Sequence, residues 1–361
     1  GRPERLAVGE RGGSVRTRIV VITLALALSL AAVGCGGSGG GGGGEGGAEV
    51  RPGLVLDVGG LGDDGFNDSA YAGLKRAEKD FGVKGDFLES IAPTDYADNL
   101  TQLAENGFNP VIAVGYLMTE DLTQISKQFP DTQFAIVDSV VDTPNTMDLV
   151  FREQEGSYLA GIVAGLMTQE DTEYTSSDEK VVGFLGGQTG PLIEKFQAGY
   201  EAGVKSVCPD CTVLVKYAGA APDAYDDPAK GKEISLQQIN QGADIIYHAA
   251  GNTGAGLFDA ASQEKIFAIG VDLDQAKLFP KDPILTSVVK RVDNAVYQTI
   301  DSVSKGEKPK GTTVDRGLKE KGISLAPFGQ FDSMVPQEVK DEVDKAEKGI
   351  ISGDIKVPTK P

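Results

Sequence analysis

Tryptophan is absent from the 361-residue chain, histidine occurs once and cysteine three times. One histidine excludes by counting any site that needs several, such as a three-histidine zinc centre, and no metal site is expected. No Ser-His-Asp set can be built around the single His248 either. Positive charge is scarce: 34 Lys and Arg stand against 53 Asp and Glu, a formal net charge of −19. The basic residues fall in short scattered pairs, whereas clustered cations dominate binding to nucleic acids and anionic lipid surfaces. Nucleic acid is therefore set aside as a partner. Apolar residues make up 40% of the chain, enough at this length for two domains with separate cores.

The first residues read as a targeting segment. Arg11, Arg16 and Arg18 precede the apolar run 19–30, which ends in Ala31-Ala32-Val33-Gly34-Cys35. A basic region, a short apolar run and small residues before a cut describe a secretory signal, and the run is shorter than the roughly 20 residues of a membrane-spanning helix. The small residues ending in cysteine resemble a bacterial lipobox, with a signal peptide over 1–34 and lipid on Cys35; Ala32 stands where leucine is usual. The alternative is an ordinary signal peptide with an incidental cysteine. Residues 36–47 are glycine except Ser38 and Glu45, suited to a tether over 35–49. Cys208-Pro209-Asp210-Cys211 has the spacing of a redox pair or half a metal site. In an oxidising compartment, with no second cysteine pair, a small structural disulfide is expected.

From residue 50 the pattern is strand, helix, strand, helix. Residues 54–58 form an apolar run, and Ala70, Leu74, Ala77 and Phe81 recur at helical spacing with Asp68 and Ser69 as N-cap candidates. The intervening loop, Gly59 to Asn67, carries carboxylates, an aromatic and an amide. Apolar runs at 111–115 and 133–137 repeat the scheme, so that Asp57, Gly115 and Asp138 share one sheet edge. Ligands bind at the carboxyl edge of open α/β sheets. Residues 150–165 read as a chain crossing followed by a tightly packed helix. The scheme then restarts, with strands at 181–185, 213–217, 245–249, 267–271, 285–289 and 323–326, and helices between. Two similar α/β domains with parallel sheets are expected.

Five stretches, GGLGDDGFNDSAYAGL (59–74), VGFLGGQTGPLIEKFQAGYEAGVKSV (182–207), YHAAGNTGAGLFDAA (247–261), AIGVDLDQ (268–275) and LTSVVKRVDNAVY (285–297), resemble in order the basic membrane protein family of bacterial solute-binding lipoproteins, which includes purine nucleoside receptors of ABC transporters. The resemblance implies a type I periplasmic-binding fold, two Rossmann-like α/β domains around a ligand cleft. It suggests one lobe of residues 50–152 plus 286–316 and another of 153–285 plus 317–361. It implies a lipid-anchored monomer on the extracytoplasmic face of the cell membrane, delivering a nucleoside to ABC permease subunits, with no cofactor and no catalysis. Its base-stacking phenylalanines match Phe66 and Phe196, its base-edge groups Asp64 and Asn67, its ribose carboxylates Asp138 and Asp272, and its sugar-facing lysine and glycine Lys290 and Gly251.

Each residue also has a structural reading: Asp138 and Asp272 as turn or cap residues, Phe196 as core, Lys290 as surface charge, His248 as a hydrogen-bonded core residue. Gln188 to Pro191 and Asn252 depart from the family pattern. The same fold serving a sugar or other small polar solute is the nearest alternative function. A nucleoside-processing enzyme is the more distant one, because the glycines from Gly251 to Gly256 do not follow the dinucleotide-binding spacing.

Overall fold

The computed structural model describes residues 50–178, 180–307 and 311–361. The expected signal peptide, Cys35 and the glycine tether lie outside them. Five strands come first: β1 (Gly53–Leu56), β2 (Asp86–Glu89), β3 (Val111–Ala113), β4 (Phe134–Val137) and β5 (Thr146–Phe151). Five more follow: β6 (Val181–Gln188), β7 (Thr212–Gly219), β8 (Ala243–Ala249), β9 (Phe267–Asp272) and β10 (Ile284–Lys290). The chain then adds β11 (Thr312–Arg316) to the first set and β12 (Ile323–Leu325) to the second. The result is two six-stranded sheets ordered β11-β5-β4-β3-β1-β2 and β12-β10-β9-β8-β6-β7, parallel except for β12. β1, β3 and β4 are buried along their whole length, as strands covered on both faces must be. β2 and β11 are exposed, charged edge strands.

Helices cover the faces: α1 (Phe66–Phe81), α2 (Tyr96–Glu105), α3 (Thr119–Gln128), α4 (Glu153–Met167), α5 (Pro191–Val207), α6 (Pro228–Ile239), α7 (Ala255–Glu264), α8 (Gln275–Leu278), α9 (Val292–Ser304) and α10 (Gln337–Ser352). None is long and apolar enough to cross a membrane. The start of α1 differs from expectation. Gly65, not Asp68 or Ser69, is the N-cap, and Asp63 two residues before it accepts from the first-turn amides of Asn67 at 2.8 Å and Asp68 at 3.1 Å. Asp68 turns back to hold the loop amides of Gly62 and Asp64, both at 3.0 Å. The chain's return also differs. β10 pairs along its whole length within the second sheet, so the crossing expected at residue 286 comes after Lys290. There α9 lies on α1: the Asp293 amide donates to Ser69 Oγ at 3.1 Å and Arg76 to Asn294 at 2.9 Å.

Helices α4 and α5 approach so closely that only glycine fits at the crossing. A Cβ on Gly161 would lie 2.2 Å from the Tyr200 carbonyl oxygen, and one on Gly203 2.1 Å from that of Tyr158. Backbone cannot move aside as a side chain can. Gly161→Ala is therefore expected to cost about 1–3 kcal/mol in urea unfolding; an unchanged midpoint would contradict this packing. α5 ends at Cys208, which is bonded to Cys211, both buried.

Candidate functional site

The carboxyl ends of strands from both sheets open onto one cleft. The first sheet contributes Asp57, Val58 and Gly59 after β1, Tyr116 after β3 and Asp138 after β4. The second contributes residues 249–252 after β8, Asp272 at the end of β9 and Lys290 at the end of β10. Phe66 enters from the first turn of α1 and Phe196 from α5, so the two rings come from opposite sides.

Lys290 is the charged centre. Its side chain is 2% exposed, with Nζ 2.6 Å from Asp138 Oδ2 and 3.1 Å from Glu153 Oε1. The far oxygen of Glu153 meets Lys195 at 3.2 Å. Burial works against the ammonium, but Asp138, Glu153 and Asp272 more than offset it, and the Lys290 pKa lies above the usual lysine range. The same ammonium stands 5.3 Å from the Phe66 ring centroid, 5.7 Å from that of Phe196 and 5.1 Å from that of Phe151.

Asp138 and Asp272 occupy matching places in the two sheets, and both hold left-handed backbone, with φ of 67° and 64°. That conformation is costly for a residue other than glycine, and such strain collects at functional sites. Both carboxylates also have unused acceptors. Asp138 Oδ1 is buried without a hydrogen-bond partner, and the Asp272 carboxylate accepts no hydrogen bond from the described residues. Burial raises both pKa values despite the opposing pull of Lys290, that of Asp272 to about 7. Burial likewise raises Asp57 to about 7, although Tyr96 and the Val58 amide donate to it.

Two expected base-edge groups have other work. Asp64 is not a lining residue; its carbonyl oxygen accepts from Gln275 Nε2 at 3.1 Å. The neighbouring Asp63 faces the cleft, but its oxygens already accept four protein N–H groups, from Gly65, Asp68 and both the backbone and side chain of Asn67. Asn67 lines the cleft while its amide shapes the loop: Oδ1 accepts from the Asp57 backbone at 3.0 Å and Nδ2 donates to Asp63 at 3.1 Å. Gly251 has φ of 55° and lines the cleft; a Cβ there would lie 3.0 Å from the Tyr225 carbonyl. His248 is buried outside the lining, with Nε2 3.0 Å from Gln275 Oε1. That oxygen also accepts the Val271 amide, so Nε2 carries the ring proton. Burial lowers the His248 pKa to about 4, leaving the ring neutral. The lining residues Tyr116 and Tyr225 were not anticipated, since nothing local in sequence marks two tyrosines that meet only across a cleft.

Two α/β sheets whose strand ends share one cleft define the periplasmic-binding class of folds. Within that class the chain belongs to the Bmp family, described as "ABC transporter substrate-binding protein PnrA-like", which residues 52–360 match. A Lactococcus lactis protein named "ABC transporter nucleoside-binding protein BmpA" is 32% identical over 333 residues, covering 86% of this chain and 90% of that one. A lipoprotein of Pyrococcus horikoshii is 34% identical over 319 residues, covering 82% and 77%. The crystal structure of an ABC transporter solute-binding protein from Aeropyrum pernix superposes with a TM-score of 0.77 at 28% identity, covering 86% of this chain and 93% of that one.

Proposed function

We propose that this ABC transporter substrate-binding protein captures a nucleoside, with a purine base between Phe66 and Phe196 and the ribose hydroxyls on Asp138 and Asp272. The two sheets with their helices act as lobes that close on the ligand, and the protein works as a monomer tethered through lipid on Cys35 at the outer face of the membrane. The observation that carries the reading is the pair of strained carboxylates at Asp138 and Asp272, the first with one buried oxygen free to accept, set beside Lys290 and two phenylalanines from opposite sheets. Two acceptors suit two hydroxyl donors. Two aromatic faces suit a flat base, because stacking adds to burial. The name of the Lactococcus lactis relative points the same way. A phosphate would meet Asp57, Asp63, Asp138 and Asp272 with, among the described residues, Lys290 as the one cleft-lining cation, so nucleosides are favoured over nucleotides. Nothing in the reading requires a chemical step on the ligand.

Stacking on one aromatic ring is worth roughly 1–3 kcal/mol per base. Phe66→Ala and Phe196→Ala should each weaken inosine binding by about 10- to 100-fold in calorimetry. Unchanged inosine affinity in both variants would sink the base sandwich and favour a sugar or another small polar solute.

A further inference from the structure

Above the cleft, Tyr116 reaches from the first sheet's side to Gln188 and Tyr225 on the second. The Tyr116 hydroxyl lies 3.1 Å from Gln188 Oε1 and 3.1 Å from the Tyr225 hydroxyl. The direction of each bond follows from donor counting. Gln188 Nε2 donates to the Ala220 carbonyl at 3.2 Å, so its Oε1 is the acceptor facing Tyr116. Tyr116 therefore spends its one proton on Gln188 and accepts from Tyr225. Both bonds are made between protein groups, and neither requires an atom of a ligand.

The parts are also held in place beforehand. Tyr225 lies so close beneath Gly187 that a Cβ there would come within 2.3 Å of its ring, and its carbonyl sits against Gly251. Tyr116 begins a short 3-10 turn whose carbonyl accepts from Thr119. A bond between two seated groups loses little side-chain entropy on forming. A second ligand-independent contact, Gln275 Nε2 to the Asp64 carbonyl, joins the sides elsewhere.

We propose that Tyr116, Gln188 and Tyr225 form a self-contained latch that holds the two sides together with or without a solute inside, and so sets the rate at which a captured solute escapes. The escape rate of a nucleoside rests on the functional reading above; closure of the ligand-free protein does not.

Spin labels on Gln128→Cys and Gln237→Cys, on exposed faces of α3 and α6, report the distance between the two sides in the full chain. Without ligand, the parent protein should show a populated short distance. Tyr116→Phe removes both bonds and should lower the closed-to-open ratio about tenfold. Adding Tyr225→Phe should change it little further, because the partner hydroxyl has already gone. Inosine should escape from Tyr116→Phe about tenfold faster and enter no more slowly, because a larger share of the ligand-free protein is then open. A change in thermal stability alone, with the distance distribution untouched, is the outcome for a merely structural tyrosine. That result overturns the latch, as does a ligand-free parent showing only the long distance. If inosine does not bind the parent, the nucleoside reading falls while the distance measurement still decides the latch.

Discussion

Replacing Lys290 with methionine is expected to remove ligand binding and to cost about 3–5 kcal/mol of stability, the usual effect of deleting one partner from a buried ion pair. The size of the effect follows from the surroundings of Nζ. Asp138 and Glu153, 4% and 0% exposed in their side chains, are held at 2.6 and 3.1 Å, and Asp272 adds its field. Methionine fills similar volume, so the loss isolates charge from packing. Lys290→Arg keeps the charge but places a planar fork in a slot bounded by the rings of Phe66, Phe151 and Phe196, and should recover only part of the stability. Urea unfolding of the two variants tests this; a loss below about 1 kcal/mol in the methionine variant would show that the carboxylates do not depend on the ammonium.

The second large effect is on pH. Burial raises the folded-state pKa of Asp57 and Asp272 to about 7, from an ordinary value of 3.8. Between those values the native protein holds protons that the unfolded chain releases. The stabilisation from these groups is complete below pH 3.8 and is lost as the pH rises towards 7. Ligand binding runs the other way. An ionised carboxylate accepts a ribose hydroxyl more strongly than a protonated one, so protonation of Asp272 weakens ligand binding. Two pH units below its pKa, affinity should be weaker than above it by up to about 100-fold. The thermal shift induced by inosine is thus expected to grow from pH 5 to pH 8 while the ligand-free melting temperature declines. Equal inosine affinity at pH 5 and pH 8 would contradict a role for Asp272 as acceptor. Asp272→Asn should flatten much of the pH dependence as well as weaken binding.

Much of the architecture was legible because fully buried parallel strands are written as apolar runs. β1, β3, β4, β6, β8 and β9 were found that way, with boundaries adjusted by a few residues. β2 and β11 were not, since an edge strand such as Asp-Phe-Leu-Glu needs no continuous apolar run. Only the last two residues of β5 fall in the stretch 150–165 read as a crossing and a helix; Asp148 interrupts the strand's apolar run, and in the structure that carboxylate accepts from Val141 and Thr313. α10 did carry a signal, Val339, Val343, Ala346 and Ile350 at helical spacing, but fell beyond the last repeat of the strand pattern. At the cleft, the family resemblance supplied Phe66, Phe196, Asp138, Asp272, Gly251 and Lys290, all of which the structure brings to one cavity. It could not say which of the adjacent Asp63 and Asp64 faces inward. That depends on loop geometry, where Asp63 is drawn in by the free amides at the start of α1. Nor could spacing reveal that the Asn67 amide is occupied by Asp57 and Asp63.

The most direct test is a calorimetric titration of the full chain, at pH 8, with inosine, guanosine, hypoxanthine, ribose and inosine monophosphate. A cleft that stacks a base and binds two hydroxyls should take the nucleosides at least 100-fold more tightly than the free base or the sugar, and reject the monophosphate. Ribose binding as tightly as inosine, or the monophosphate binding as well as the nucleoside, would contradict the account.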